Sequence, residues 1–339
     1  MQPETTLMFA EGAEAGAAVA RQDAGAAAAL AARLRADPPR VVVTLGRGSS
    51  DNAATVARYL IETHLRLLTS SVSPSAASVY DSAPDYGGAL MLAISQSGKS
   101  PDLLAAAEAA KARGARLVAL VNVADSPLAA LADSVLPLCA GPERSVAATK
   151  SFVASVAGLL RLIAAWGEDA ELQTALDTLP ELLDRAWALD WSAALPALRD
   201  ATNLYVIARG PALGIAQEVA LKIKETCGFH AEAFSAAEVR HGPMALVGDG
   251  FPVLLLGQDD EAQESVAELA AEFAGRGAAV LHAGIGDAPG IRLPALAAHP
   301  VVQPLLLVES FYRLANALAV ARGRDPDRPP HLRKVTETL

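Results

Sequence analysis

Glu218, Lys222 and Glu225 fall at i, i+4 and i+7, so on a helix they make one stripe of two carboxylates around an amine. Such a stripe holds residue types suited to proton transfer, but Glu-to-Lys pairing on a solvated helix face has the same spacing. The segment that follows, "HAEAFSAAEVRHGPMAL", carries Glu232, Glu238, Arg240 and His241, the last directly before Gly242-Pro243. A histidine before Gly-Pro sits at a rigid bend, a good place from which to present an imidazole that changes charge near neutrality. A histidine with no chemical role would look the same.

Two loops have the composition of anion sites. Gly46-Arg47-Gly48-Ser49-Ser50-Asp51 follows an apolar run and precedes a helical pattern. A dinucleotide fingerprint would want a third glycine where Asp51 stands and an acid about twenty residues on, where the chain reads Thr69-Ser70-Ser71, so NAD is disfavoured. What remains is a hydroxyl-rich turn at a helix N-terminus, where free N–H groups and the helix dipole favour an anion. Ser95-Gln96-Ser97-Gly98-Lys99-Ser100-Pro101-Asp102 is the stronger of the two, with Pro101 as a natural first helical residue. Ser100 is also expected to cap that helix.

The elements that must position these loops can be read from the apolar runs. Val41–Leu45, Ala89–Ile94 and Arg116–Asn122 read as buried strands, with helices from about Asn52 and from Pro101 between them. An Ala-rich stretch over residues 10–35 reads as one helix, and further helices are expected over about 149–166 and 170–189. The pattern then restarts: strand Leu204–Ala208, a long helix through Glu225, and strands Pro252–Gly257 and Ala278–Ala283 with a helix between. "VVVTLGRGSS" and "NLYVIARGPA" read as one structural moment in two copies, which predicts an internal duplication. The expected architecture is α/β, two tandem doubly wound, flavodoxin-like parallel sheets, over residues 1–190 and 191–339.

With 339 residues, 52% hydrophobic and 19% charged, the composition suits two compact domains. Much of the hydrophobicity is alanine, and the apolar stretch Phe152–Trp166 is too short to span a bilayer and contains Arg161, so no membrane role is expected. A net charge of −10 argues against nucleic acid as partner. Two cysteines, Cys139 and Cys227, without a disulfide pattern, and an N-terminus without a signal-peptide pattern fit a cytoplasmic setting. The six histidines show no metal-ligand spacing, so no metal is expected.

Four motifs, "GRGSS", "SQSGKSPD", "ERSVAATKSF" and "ALKIKETCGFHAEAFSAAEVRHGPMAL", and the tail "DPDRPPHLRK" resemble the SIS (sugar isomerase) proteins. The nearest likeness is to the isomerase half of glucosamine-6-phosphate synthase and its deaminase relatives, over about residues 7–339. The resemblance implies that Ser49, Ser50, Ser95, Gln96, Ser97 and Ser100 cradle a substrate phosphate and its hydroxyls, and that Val146 and Ala148 lie in the stretch lining the sugar pocket. It implies that Glu225 moves a proton between C1 and C2 with help from Lys222, that His241 opens the ring from the partner subunit of a homodimer, and that Lys334 covers the sugar and can form a Schiff base with its keto form. Ala148 stands where the synthases have a serine, and Arg47 and Lys99 stand where a non-basic residue is usual.

The expectation is an isomerising glucosamine-6-phosphate deaminase that needs no metal or redox cofactor. The alternatives are an isomerase or deaminase of another sugar phosphate and a non-catalytic sugar-phosphate sensor. The missing glutaminase portion favours the deaminating direction over synthesis.

Overall fold

The computed structural model describes residues 1–334. The chain divides into two compact units that are interleaved in sequence. One is built from Ala17–Glu143, Lys150–Asp177 and the tail from Arg333, the other from Met1–Gly16, Arg144–Thr149 and Thr178–Leu332.

The first unit holds a five-stranded parallel sheet of β1 (Val41–Leu45), β2 (Thr69–Ser71), β3 (Ala89–Ser95), β4 (Arg116–Val121) and β5 (Ser134–Pro137), in the order β2-β1-β3-β4-β5. The second holds β6 (Tyr205–Ala208), β7 (Glu232–Ser235), β8 (Pro252–Leu256), β9 (Ala279–Ala283) and β10 (Ile291–Leu293), in the order β10-β9-β8-β6-β7. Read from the other end, the second order is the first one again, the doubly wound pattern expected from the sequence. The central strands β3 and β8 are buried along their whole length, which is why they read as unbroken apolar runs. The edge strands β2, β5, β7 and β10 are short and more polar, and the apolar pattern missed them.

The duplication extends to irregular details. The Ser49–Leu60 helix ends in a π-turn, Ile61–Leu65, and then a left-handed residue, Arg66 with φ 56°. The Ala212–Lys222 helix ends in a π-turn, Ile223–Cys227, and then Gly228 with φ 67°. Both loops leading into these helices carry a left-handed glycine, Gly48 and Gly210.

Several helices differ from expectation. Residues 10–35 form three helices, Leu7–Gly12, Ala15–Ala20 and Ala24–Ala36, instead of one. The break after Ala20 is tertiary: Arg21 donates to Cys139 O at 3.0 Å, and Gln22 donates to Ala154 O at 2.7 Å, pulling the backbone out of the helix. The 170–189 stretch is two helices, Ala170–Asp177 and Leu179–Trp187, because Pro180 cannot continue the preceding turn. The helix after the first serine loop starts at Ser49, a turn earlier than expected. The Gln303–Ala321 helix is long and apolar enough to cross a membrane by length and composition, a feature overlooked in the sequence. With 78% of that window buried inside the protein, it serves as a core helix.

Candidate active site

The two serine loops leave neighbouring strands at one sheet edge. β1 and β3 are parallel partners with Leu45 beside Ala93, so Gly46 and Gln96 both emerge at the carboxyl end. Gly46 lets the first loop fold tightly, since a Cβ there would lie 2.9 Å from Asp51 N. Asp51 N and Asn52 N both donate to Gly48 O, which fixes the start of the Ser49–Leu60 helix beneath Ser49 and Ser50. Burial raises the Asp51 carboxyl above its usual range, against the pull of Arg47, Ser71 and Arg58. Arg47 joins the loops directly, donating from Nε at 2.9 Å to Oδ2 of the buried Asp102 on the helix that follows the second loop.

In the second loop, Ser95 Oγ accepts from Gly98 N at 3.0 Å and Ser97 Oγ accepts from Lys99 N at 3.3 Å. In these two bonds the hydroxyls act as acceptors, so each keeps its O–H as a donor. Gly98 is left-handed with φ 63°, and a Cβ there would fall 2.3 Å from Ser126 Oγ. Ser100 stands at the N-cap of Pro101–Ala112, but its hydroxyl makes no capping bond, contrary to the expectation that it caps this helix. The six polar residues of the two loops are thus gathered at one sheet edge, Ser95 buried and the other five partly buried.

The tail lysine is seated in the same unit. Lys334 Nζ lies 2.7 Å from Oε2 of Glu143, whose side chain is fully buried and also accepts from Ser151 N at 3.0 Å and Ser151 Oγ at 2.7 Å. Glu143 opens the "ERSVAATKSF" motif but was not picked out from the sequence. Val146 and Ala148, in the same motif, are partly buried and belong to the other unit, where Val146 N donates to Asp327 O.

The second unit brings Lys222 and Glu225 together. Lys222 is fully buried, ion-paired to Glu225 Oε2 and 3.4 Å from Glu218 Oε1. The expected i, i+7 stripe becomes something tighter, because the α-helix ends at Lys222 and the π-turn carries Glu225 round onto it. Glu218 is buried completely, whereas Glu225 keeps 22% of its side chain exposed, so it alone of the two carboxylates reaches solvent. A solvated Glu-to-Lys face is therefore ruled out. The corresponding positions of the first copy, counted from the matching π-turns, are Val56 for Glu218, Leu60 for Lys222 and Thr63 for Glu225. The fold does not need charge there. Glu225 opens onto a shallow cavity of about 570 Å³ lined also by Lys224, Phe229, His230 and Arg324.

His241 ends the short turn Glu238–His241, and Gly242 follows with φ 135°. The imidazole is exposed there and has no hydrogen bond or ion pair with another described residue. Within one chain it is thus not joined to Lys222 or Glu225. Cys227, on the π-turn, is buried, and its thiol is pushed up to about 11 by loss of solvent.

Sequence reasoning also passed over Tyr312, whose hydroxyl donates to Glu218 Oε1 at 3.1 Å. Nothing in an apolar helix far along the chain marks it as a partner of that stripe.

Comparison with known proteins bears on the fold and the family. The glutamine–fructose-6-phosphate aminotransferase (isomerizing) of Aeropyrum pernix is 38% identical over 324 residues, covering 90% of this chain and 52% of the relative. The chain spans about half the length of the curated relatives it matches. A candidate phosphosugar isomerase from Silicibacter pomeroyi superposes with a TM-score of 0.91 at 43% identity, covering 95% of this chain and 100% of the other. The C-terminal domain of glucosamine-fructose-6-phosphate aminotransferase from Francisella tularensis gives a TM-score of 0.85 at 25% identity, covering 96% and 98%. A SIS domain model matches residues 37–165 and 197–299, one match over each sheet. With its duplicated fold, its serine loops and these matches, the chain belongs to the SIS domain family.

Proposed function

We propose that this chain deaminates and isomerises glucosamine 6-phosphate to fructose 6-phosphate and ammonia. The observation that carries the reading is the buried Lys222 holding a partly exposed Glu225, in the one copy of the duplicated helix that has charge at these positions. In the proposed reaction the serines at 49, 50, 95, 97 and 100, with Gln96, hold the phosphate and sugar hydroxyls by donated O–H and N–H bonds. His241, supplied by the partner subunit of a homodimer, opens the ring. Glu225 takes the C2 proton of the open-chain amino-aldose and returns it to C1, leaving a C2 imine. Water adds at C2, ammonia leaves, and the ketose remains. Lys222 keeps the Glu225 carboxylate in place, and Lys334 closes over the sugar and can capture the keto product through its amine.

The relatives' names support a fructose 6-phosphate skeleton, and the isomerase assignment of the Silicibacter pomeroyi chain supports movement of hydrogen between C1 and C2. That assignment also favours a second reading, aldose–ketose isomerisation of a sugar phosphate without loss of ammonia. Purified protein is given glucosamine 6-phosphate, with galactosamine 6-phosphate in parallel, and both ammonia and ketose are measured. Stoichiometric ammonia and fructose 6-phosphate from the glucosamine ester supports deamination. Isomerised sugar without ammonia selects the second reading. Binding without any turnover points to a sensor and refutes both.

A further inference from the structure

Tyr312 sits on the Gln303–Ala321 helix among Leu305, Val308, Phe311 and Ala315, all buried. Phenylalanine would fill this space, so the hydroxyl needs its own explanation, and a buried phenol O–H needs an acceptor. The acceptor is Glu218 Oε1 at 3.1 Å, the same oxygen that lies 3.4 Å from Lys222 Nζ. Lys222 in turn holds Glu225. A continuous run, Tyr312–Glu218–Lys222–Glu225, therefore links one helix of the core to the carboxylate at the cavity. Buried charges of this kind are costly unless each is paired in good geometry. The first copy of the helix has none, with Val56 and Leu60 in place of Glu218 and Lys222.

We propose that Tyr312 is a positioning residue, whose hydroxyl fixes Glu218 on Lys222 and through Lys222 sets where the Glu225 carboxylate stands. This rests on the reading of Glu225 as the group that moves the sugar proton. Without the Tyr312 hydroxyl, Glu218 loses a charge-assisted hydrogen bond and its fixed rotamer. Lys222 then leans more on Glu225 and restrains the carboxylate that has to serve two neighbouring carbons.

Tyr312→Phe keeps the shape and removes only the hydroxyl. Its kcat on glucosamine 6-phosphate should fall about 10-fold at unchanged KM, the pattern of a lost transition-state interaction. A second readout needs no turnover. The Lys222 ammonium should give a protected 15N–H3 signal, assigned by its loss in Lys222→Met, and in Tyr312→Phe that signal should broaden by exchange with water. Glu218→Gln, which removes the carboxylate itself, should lose both kcat, about 100-fold, and the signal. Wild-type kcat and an unchanged ammonium signal in folded Tyr312→Phe overturn the proposal, as does a raised KM at constant kcat. Glu218→Gln with wild-type signal overturns it equally. If the wild-type protein turns over no amino-sugar phosphate, the functional reading falls, and the ammonium signal still decides the role of Tyr312.

Discussion

Docking of the tail onto Glu143 makes a quantitative test of the first unit. Lys334 Nζ is 2.7 Å from Glu143 Oε2, with the carboxylate side chain fully buried and the lysine side chain 24% exposed. A hydrogen bond to a charged group is worth about 1.5–3 kcal/mol when removed from a folded protein. Fixing a lysine side chain costs up to roughly 2 kcal/mol of rotamer entropy, and at that full cost the net stabilisation is at most about 1 kcal/mol. The pairwise coupling should stand near the gross figure, because a double-mutant cycle isolates the interaction. We expect a coupling of about 1.5–3 kcal/mol, or roughly 10- to 150-fold in the unfolding constant, between Lys334→Met and Glu143→Gln. Glu143→Gln alone should cost more than Lys334→Met alone, because Ser151 N–H and O–H donate to different carboxylate oxygens and the amide NH2 that replaces one of them cannot accept. Urea unfolding of the four proteins at neutral pH measures the cycle. A coupling below about 0.5 kcal/mol, with all four folded, means that the ammonium does not rest on Glu143 in solution and refutes the seated tail.

Other outcomes follow from single residues. Glu309 is buried on the Gln303–Ala321 helix with Oε2 unpartnered, and burial, then Asp184, raises its carboxyl well above the usual 4.5. The native state therefore keeps a proton that the unfolded chain releases above about pH 4.5, so stability falls as pH rises from there through the raised value. The Tm advantage of Glu309→Gln over wild type should widen between pH 5 and pH 8, and parallel curves would count against a buried protonated acid. Gly98→Ala meets both a left-handed backbone and Ser126 Oγ, so it should destabilise by on the order of 2 kcal/mol and weaken phosphate-ester binding, measured by urea unfolding and calorimetry. Cys227, with its thiol near 11 and buried, should resist a thiol reagent at pH 8 in the native protein while the half-buried Cys139 reacts. Equal rates at the two cysteines would contradict the packing around the π-turn.

Much of the fold was legible because its central strands are apolar runs stopped by glycine or proline. Val41–Leu45 was read to the residue, and the Pro101 helix start was read from proline itself. Helix ends set by distant partners were not legible. Arg21 and Gln22 give no local stop signal, since carbonyls more than a hundred residues away capture them. The site was partly legible for a similar reason. The serine loops announce themselves by composition at strand ends, and Lys222 and Glu225 stand close enough in sequence to be paired by counting. The π-turn that brings them together cannot be counted from spacing, because an i, i+7 rule assumes an unbroken α-helix. Glu143 and Tyr312 matter through what they touch, and neither position has a local pattern that says so.

The interleaving of the two units has a consequence for how the chain is made. Met1–Gly16 belongs with Thr178–Leu332, and its anchors are late: Thr6 bonds Asn316 at 2.7 Å, and the Leu7 and Met8 amides donate to the Asp327 carboxylate, each at 2.7 Å. Thr6, Leu7 and Met8 thus wait for residues 310 or more positions further on before they find these hydrogen bonds. The Ala17–Glu143 stretch, by contrast, carries all five strands of its sheet and can begin to condense while synthesis continues. Order of synthesis and order of assembly therefore differ for the Met1–Gly16 segment. Closing so long a loop is slow, so a nascent chain stalled before Asp327 would hold a formed first sheet and an undocked Leu7–Gly12 helix, open to protease.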